Sequence, residues 1–218
     1  MTTSTKRNDS HRKARRHLRA VDPIMGRVID AVGEEARLRV RDEPPFESLV
    51  RAVVNQQLSG KAAATILGRF KALYPASAFP SPEKVLRTHA NRLRSAGLSR
   101  PKAAYIKDIA RQVTLGVVPT LAECDGLEDA EIVSRLTQIK GIGRWTAEMF
   151  LMFNLGRPDV LPVHDLGVRK GFQIAFKKRN LPEPEHVDRH GELWKPYRST
   201  AALYLWRMVD FVEDGGEW

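Results

Sequence analysis

The sequence has a single cysteine, Cys124, among its 218 residues. One cysteine forms no intramolecular disulfide and cannot supply the four thiolates of a Cys-ligated iron–sulfur cluster. No stretch is long and apolar enough to span a bilayer, and no secretory hydrophobic segment stands near the N-terminus. We therefore expect a protein of a reducing, cytoplasmic or other intracellular compartment, with no membrane partner.

The sequence also has no stretch that is typical of a β-strand. From Val21 onward apolar residues recur at helical spacing almost throughout, and Ser59 and Ser81 stand where N-caps are expected. An example is the stripe of Val21, Ile24, Met25, Val28, Ile29 and Val32. The pattern predicts an all-α fold.

Basic residues outnumber acidic ones, with 36 Lys and Arg against 26 Asp and Glu, which gives a net charge of +10. Such a balance favours an anionic partner, and nucleic acid before a membrane. Residues 1–19 are especially basic and polar, so we expect a solvated, disordered tail there, with a DNA-touching arm as the alternative. Residues 20–218 are expected to form the folded domain.

The most informative stretch is the segment from Leu136 to Phe150. Leu136 and Ile139 continue an apolar helical face, Gly141 and Gly143 interrupt the pattern, and a helix resumes at Trp145. Glycine at both turn positions allows positive φ and the close approach of another backbone. The segment therefore predicts two helices joined by a tight turn.

The start of the second helix offers backbone N–H groups and the positive end of a helix dipole, which together bind anions. Lys140, Arg144 and Thr146 add two charges and a hydroxyl beside this turn. A phosphate of a DNA backbone would fit there. Such a turn positions the duplex and reads no base, so Lys140, Gly141, Gly143, Arg144 and Thr146 are predicted to bind DNA without sequence specificity.

A second stretch, Leu161-Pro-Val-His-Asp165, precedes another helical run, which places Asp165 as an N-cap. One interpretation is that Asp165 only caps the helix. The other is catalytic, because a fixed carboxylate stabilises developing positive charge and helps to orient or deprotonate an attacking water.

Ile139–Ala147 followed by Leu161–Asp165 resembles the helix–hairpin–helix DNA glycosylase superfamily, and within it the compact form of the 3-methyladenine DNA glycosylase II branch, from about Ala20 to Phe211. The resemblance implies two helical lobes with a cleft between them. One lobe would span about residues 48–150, and the other would combine the N- and C-terminal helices. Asp165 would be the catalytic residue. His164 departs from the family pattern, in which this position is often acidic or glycine.

The resemblance also implies a loop that inserts into the duplex when a base is extruded. Gln56-Gln57-Leu58-Ser59 matches that loop, with Gln57 as the plug, Leu58 beside it and Ser59 among the DNA-binding residues. The competing interpretation is an ordinary helix end.

Trp145 and Trp206 match aromatic positions of the family's alkyl-base pocket, and Met149 and Leu166 fall where long bacterial members have further aromatics. Trp206 lies in an apolar run, so a core role competes with the pocket role. Trp145 also stands where bifunctional relatives have a nucleophilic lysine, and an indole forms no Schiff base. The resemblance thus implies a hydrolytic, monofunctional enzyme.

The expected activity is the release of 3-methyladenine and 7-methylguanine from double-stranded DNA by a monomer. The enzyme would work at the nucleoid of a bacterium or in the nucleus of a eukaryote. No cofactor is expected, although the family's hairpin binds a monovalent cation, Na⁺ or K⁺, through backbone carbonyls that would be those of Thr137, Ile139 and Gly141. Two alternatives stay open at this point: a non-catalytic helix–hairpin–helix DNA-binding protein, and a bifunctional glycosylase/lyase for oxidised bases.

Overall fold

The computed structural model describes residues 3–33 and 36–218, and its regular elements there are helical. In chain order they are α1 (Thr3–Val21), α2 (Pro23–Val32), α3 (Pro45–Asn55), α4 (Gly60–Ala72), α5 (Pro82–Arg87), α6 (Ala90–Ser95), α7 (Arg100–Thr114), α8 (Leu121–Cys124), α9 (Asp129–Leu136), α10 (Arg144–Phe150), α11 (Leu166–Ala175), α12 (Pro184–Gly191) and α13 (Arg198–Glu213). A π-helical turn, Leu151–Leu155, continues α10, and a 3-10 turn, Glu192–Trp194, continues α12. No strand occurs in the described residues, so the all-α prediction is confirmed. No helix among them is long and apolar enough to cross a membrane.

The N-terminal region differs from the disordered tail expected over residues 1–19. Helix α1 begins at Thr3, while Met1 and Thr2 lie outside the described residues. Ala14 and Leu18, one helical turn apart, are buried, and α1 packs against α2 and α13. Within this basic segment Ala14 and Leu18 form a narrow apolar stripe, and burial of that stripe stabilises the packing of α1.

The chain divides into two compact units. The terminal unit consists of Met1–Val40 and Leu151–Trp218, and the central unit is Arg41–Phe150. In the terminal unit α11 packs closely along α13: a Cβ added at Gly171 would stand 1.9 Å from the carbonyl oxygen of Leu205. Only glycine permits this approach of two helix backbones.

A buried carboxylate joins three elements of the terminal unit. Asp22 is the N-cap of α2, where its Oδ1 accepts from the backbone N–H groups of Ile24 and Met25. Its Oδ2 accepts from Trp194 Nε1 at 2.9 Å and lies 2.8 Å from His190 Nε2. Burial by itself raises the pKa of Asp22, but the bonds from His190, Trp194 and the Met25 N–H outweigh it and lower the pKa below its usual value.

In the central unit α7 packs against α3, α5 and α6. Val50 and Val53 of α3 and Ile106 and Ile109 of α7 are fully buried at this core. Helices α4 and α5 begin with hydroxyl caps, Ser59 before α4 and Ser81 before α5, as predicted.

Candidate functional site

Asp165 stands at the start of α11, as its sequence context predicts. Its Oδ1 accepts two hydrogen bonds, from the Val168 N–H at 2.8 Å and from the indole Nε1 of Trp206 at 2.7 Å. The chain reaches this position through a turn in which the Asp165 N–H donates to the Pro162 carbonyl at 2.9 Å. The half-buried carboxylate is therefore fixed by donors from two helices, α11 and α13.

Trp206 is held in turn by its neighbours. Its ring stacks on Phe153, with centroids 6.0 Å apart and planes inclined by 29°. On α11, a Cβ added at Gly167 would stand 2.7 Å from Trp206 Cδ1 and 3.1 Å from Asp165 Oδ1. The absence of a side chain at position 167 thus leaves the space in which the indole reaches the carboxylate.

The sequence analysis did not identify Phe153. It lies in the π-helical turn that continues α10, inside an apolar run that helical periodicity interprets as core. A π turn changes the direction of every side chain after it, and such turns are frequent at functional sites. The structure therefore adds Phe153 to the cluster of Asp165, Trp206, Leu166 and Gly167.

The four side chains predicted for a base pocket are divided between the units. Trp206 and Leu166 belong to the terminal unit with Asp165, and Leu166 is 54% exposed. Trp145 and Met149 belong to the central unit, where they lie four residues apart on α10 and so share one face. Trp145 is 49% exposed.

The predicted helix–turn–helix is formed by α9, the residues 137–143, and α10; we name residues 139–143 the hairpin turn. Gly141 has φ +84°, and a Cβ there would stand 2.4 Å from the ring of Tyr105. The backbone N–H of Lys140 donates to Asp108 Oδ2 at 2.9 Å. Gly143 is exposed with open space around it, and it does not adopt the positive φ that a glycine allows.

In the predicted DNA-binding set, Arg144 has an ion-pair partner and Thr146 is buried. Arg144 Nε donates to the buried carboxylate of Glu148 at 2.9 Å, so the guanidinium charge has a fixed counter-charge. Thr146 was expected to offer its hydroxyl at the surface and is instead buried, because it lies on the core side of α10. Lys140 stays exposed beside the turn.

The segment Gln56–Ser59, here named the wedge loop, follows the end of α3 at Asn55. Gln57 and Leu58 are exposed, and Gln57 adopts φ +56°, which is uncommon for a residue with a side chain. Ser59 caps α4 by accepting from the Ala62 N–H. Gln56 points elsewhere: its Nε2 donates to the Gly141 carbonyl at 2.9 Å.

The chain is similar to known proteins over most of its length. The family model described as "HhH-GPD superfamily base excision DNA repair protein" matches residues 50–196. The chain is 40% identical over 196 residues to DNA-3-methyladenine glycosylase 1 of Schizosaccharomyces pombe, covering 89% of this chain and 86% of that protein.

Two solved structures have similar folds. A 3-methyladenine DNA glycosylase of Schizosaccharomyces pombe in complex with abasic DNA superimposes with a TM-score of 0.79 at 40% identity, covering 89% of this chain and 95% of that one. A DNA-3-methyladenine glycosidase from Bacillus halodurans superimposes with a TM-score of 0.81 at 37% identity, covering 92% and 90% of the two chains.

Proposed function

Because this chain belongs to the HhH-GPD superfamily of base excision DNA repair proteins, we propose that it is a 3-methyladenine DNA glycosylase. It hydrolyses the N-glycosidic bond of alkylated purines in double-stranded DNA and leaves an abasic site for later repair. The observation that carries the proposal is the Asp165 carboxylate, fixed by Val168 N–H and Trp206 Nε1. Such a preorganised charge is what an oxocarbenium-like transition state requires.

Asp165 is the catalytic residue of this proposal. As the glycosidic bond lengthens, positive charge develops on the sugar, and the carboxylate stabilises that charge. The same carboxylate orients the water that attacks the anomeric carbon and accepts its proton, and the base leaves with the electrons of the broken bond. The two donors to Oδ1 keep the carboxylate in one orientation throughout, so little reorganisation is needed during the step.

The alkylated base is recognised by aromatic faces. Methylation at N3 of adenine or N7 of guanine makes the purine cationic and weakens its glycosidic bond. An indole face attracts such a cation by about 0.5–2 kcal/mol. Trp206 with its partner Phe153 supplies an aromatic surface beside Asp165, and Trp145 supplies an exposed one on α10. The proposal also assigns Met149 of the central unit and Leu166 of the terminal unit to base recognition, as apolar side chains.

The duplex is bound through its backbone and opened at the lesion. Lys140, Arg144 and the N–H groups that begin α10 bind a phosphate at the hairpin turn. Gln57 and Leu58 enter the space that the extruded base leaves, and their exposure supports that role. Because a repair enzyme acts on the genome, we expect the protein in the compartment that holds the DNA. We expect it to act as a monomer.

Relatives in this family generally need no cofactor. A monovalent cation bound by the carbonyls of Thr137, Ile139 and Gly141 would supply positive charge beside the phosphate. Uncharged carbonyl oxygens suit such an ion, and each has two acceptor sites. In the part of the chain that the structure describes, the Ile142 N–H uses one site on Ile139 and Gln56 Nε2 one on Gly141.

Base release from a panel of duplexes that each carry one defined lesion tests the proposal. We expect 3-methyladenine to be released fastest, 7-methylguanine more slowly, and the neutral adduct ethenoadenine more slowly still. Preferential release of 8-oxoguanine or uracil would contradict the assignment of alkylated bases as substrates. It would still be consistent with a DNA glycosylase. Binding of all duplexes without release of any base would indicate a non-catalytic DNA-binding protein.

A further inference from the structure

The wedge loop and the hairpin turn are joined directly by one side chain. Gln56 and Gly141 are 85 residues apart in sequence, yet Gln56 Nε2 donates to the Gly141 carbonyl at 2.9 Å. Gln56 is half-buried, whereas its neighbours Gln57 and Leu58 are exposed. The two adjacent glutamines therefore have different surroundings: one points to the hairpin turn and the other to the surface.

Helix α7 supports both ends of this bridge from one of its faces, because Lys102, Tyr105 and Asp108 are spaced three residues apart. Lys102 Nζ donates to the carbonyls of Val54 at 2.9 Å and Gln56 at 2.6 Å, at the end of α3. Burial lowers the pKa of this ammonium group. The Lys102 bonds fix the backbone from which the wedge loop departs.

The other two side chains of this α7 face hold the hairpin turn. The Tyr105 ring occupies the space that a Cβ at Gly141 would need, 2.4 Å from its Cδ2 atom. Asp108 is buried and accepts from the Lys140 N–H at 2.9 Å. Backbone groups on both sides of the bridge are thus bonded to one helix, and the Gln56 amide joins them to each other.

The wedge loop is held in a constrained backbone conformation. Gln57 adopts φ +56°, which costs free energy for a residue with a side chain and persists only where its surroundings fix it. A loop that inserts into DNA must hold its tip at a fixed depth, because an error of a few ångströms would leave the gap unfilled. Gln56 and Lys102 each bond this loop to its surroundings in the central unit.

We propose that Gln56 is a positioning residue that makes the wedge loop and the hairpin turn one rigid DNA-binding element. Binding of a phosphate at the hairpin turn then sets the depth at which Gln57 and Leu58 enter the duplex. Gln56 itself contacts neither the base nor the sugar. The inference rests on the proposed function, since it assigns a device for extruding the base from its stack.

Single-turnover excision of 7-methylguanine from two duplexes tests the proposal. In one duplex the lesion pairs with cytosine, and in the other it stands opposite a stable abasic analogue, so that extrusion requires less unpairing. Gln56→Glu places a carboxylate against the Gly141 carbonyl, and Gln56→Met keeps the length of the side chain without a donor. Gln173→Glu is the matched control, since Gln173 Nε2 donates to the Arg179 carbonyl at 3.2 Å in the terminal unit.

We expect both Gln56 variants to reduce excision from the paired duplex about tenfold, which corresponds to one lost hydrogen bond. Excision opposite the abasic analogue should fall less than about threefold, and Gln173→Glu should match the wild type on both. Melting curves of all variants verify folding, and Gln56→Met serves if Gln56→Glu is unfolded.

A loss of equal size on the two duplexes would show that Gln56 supports the fold or the chemistry generally, and would overturn the positioning role. Wild-type rates in both Gln56 variants would overturn it as well. A wild-type protein that releases no 7-methylguanine from either duplex would instead count against the proposed function, so the two failures are distinguishable.

Discussion

At the scale of single residues, Trp206 contacts both the proposed catalytic carboxylate and a second aromatic ring. Sequence analysis assigned it an aromatic surface for the base, with a core helix position as the competing role. The structure gives the indole a second task, because its N–H donates to Asp165 while its ring stacks on Phe153. A hydrogen bond to a charged group contributes about 1.5–3 kcal/mol. Loss of this bond could therefore change the excision rate by changing the orientation of the Asp165 carboxylate.

Trp206→Phe separates these two tasks. Phenylalanine keeps a ring against Phe153 but has no N–H for Asp165, so we expect the single-turnover excision rate to fall about tenfold to a hundredfold. Affinity for an abasic duplex, measured by fluorescence anisotropy, should change little. If Trp206→Phe excises at the wild-type rate while Trp206→Ala does not, the indole serves only as a surface for the base.

Gly167→Ala tests the same contact from the other side. The new Cβ would stand 2.7 Å from Trp206 Cδ1, so the indole must move away from Asp165 and the excision rate should fall as in Trp206→Phe. Gly68→Ala is the matched control, because a Cβ there meets nothing within 4 Å. Equal excision rates in the two alanine variants would mean that the position of Trp206 is not critical.

At the scale of secondary-structure elements, local signals could be predicted and non-local ones could not. The caps Ser59, Ser81 and Asp165 were predictable because each depends on a hydroxyl or carboxylate that bonds an N–H three residues away. The all-α class followed from apolar periodicity. The π turn in which Phe153 lies has no periodic signature, so the sequence analysis did not identify that residue.

Contacts between distant residues explain the other differences. Nothing in the pattern pairs Gln56 with Gly141 or Lys140 with Asp108, because helix packing brings those segments together. The N-terminal tail was expected to be disordered since its charge outweighs the two apolar positions that anchor α1. Helix α12 is rich in charged residues, and its buried residues are Val187 and Gly191.

Asp22 should make the stability of the terminal unit depend on pH. Its pKa is lower in the folded protein than in the unfolded chain, so its stabilisation is complete above the unfolded value of about 3.9 and is lost as pH falls through the folded one. Asp22→Asn should therefore lower the free energy of unfolding by about 1–3 kcal/mol at neutral pH and by progressively less in acid.

Urea unfolding between pH 3 and pH 7 measures the effect of Asp22→Asn. Asp30→Asn is the control, because Asp30 is exposed and its ion pair with Arg19 at 2.7 Å lies at the surface, where pairs contribute little. A difference between Asp22→Asn and wild type that stays constant over this pH range would show that the carboxylate charge is not what stabilises the contact.

At the scale of the whole molecule, the two units carry different parts of the activity. The terminal unit contains Asp165 with Trp206 and Phe153, and the central unit contains the hairpin turn, the wedge loop and Trp145. The net charge of +10 adds a general attraction to DNA that weakens as salt increases. Variants at Asp165 should therefore change the rate of excision more than DNA affinity. Variants in the hairpin turn should change DNA affinity.

The protein should leave an intact abasic strand, because Trp145 stands in place of a nucleophilic lysine and offers no amine. Borohydride added during the reaction should trap no covalent enzyme–DNA adduct, and strand breaks should appear only after alkali treatment. Denaturing gels report both results. A trapped adduct that disappears when Lys140 or Lys170 is replaced would mean that the enzyme is bifunctional.

The central claim is that Asp165 acts on the developing charge and not on DNA binding. Single-turnover release of 3-methyladenine by Asp165→Asn, with duplex affinity measured on the same samples, tests it most directly. Asparagine can still cap α11, so we expect wild-type folding and affinity with a rate below about a tenth of wild type, a barrier increase above about 1.4 kcal/mol. Release at more than that tenth of the wild-type rate, by a variant that binds DNA normally, would contradict the catalytic role of Asp165.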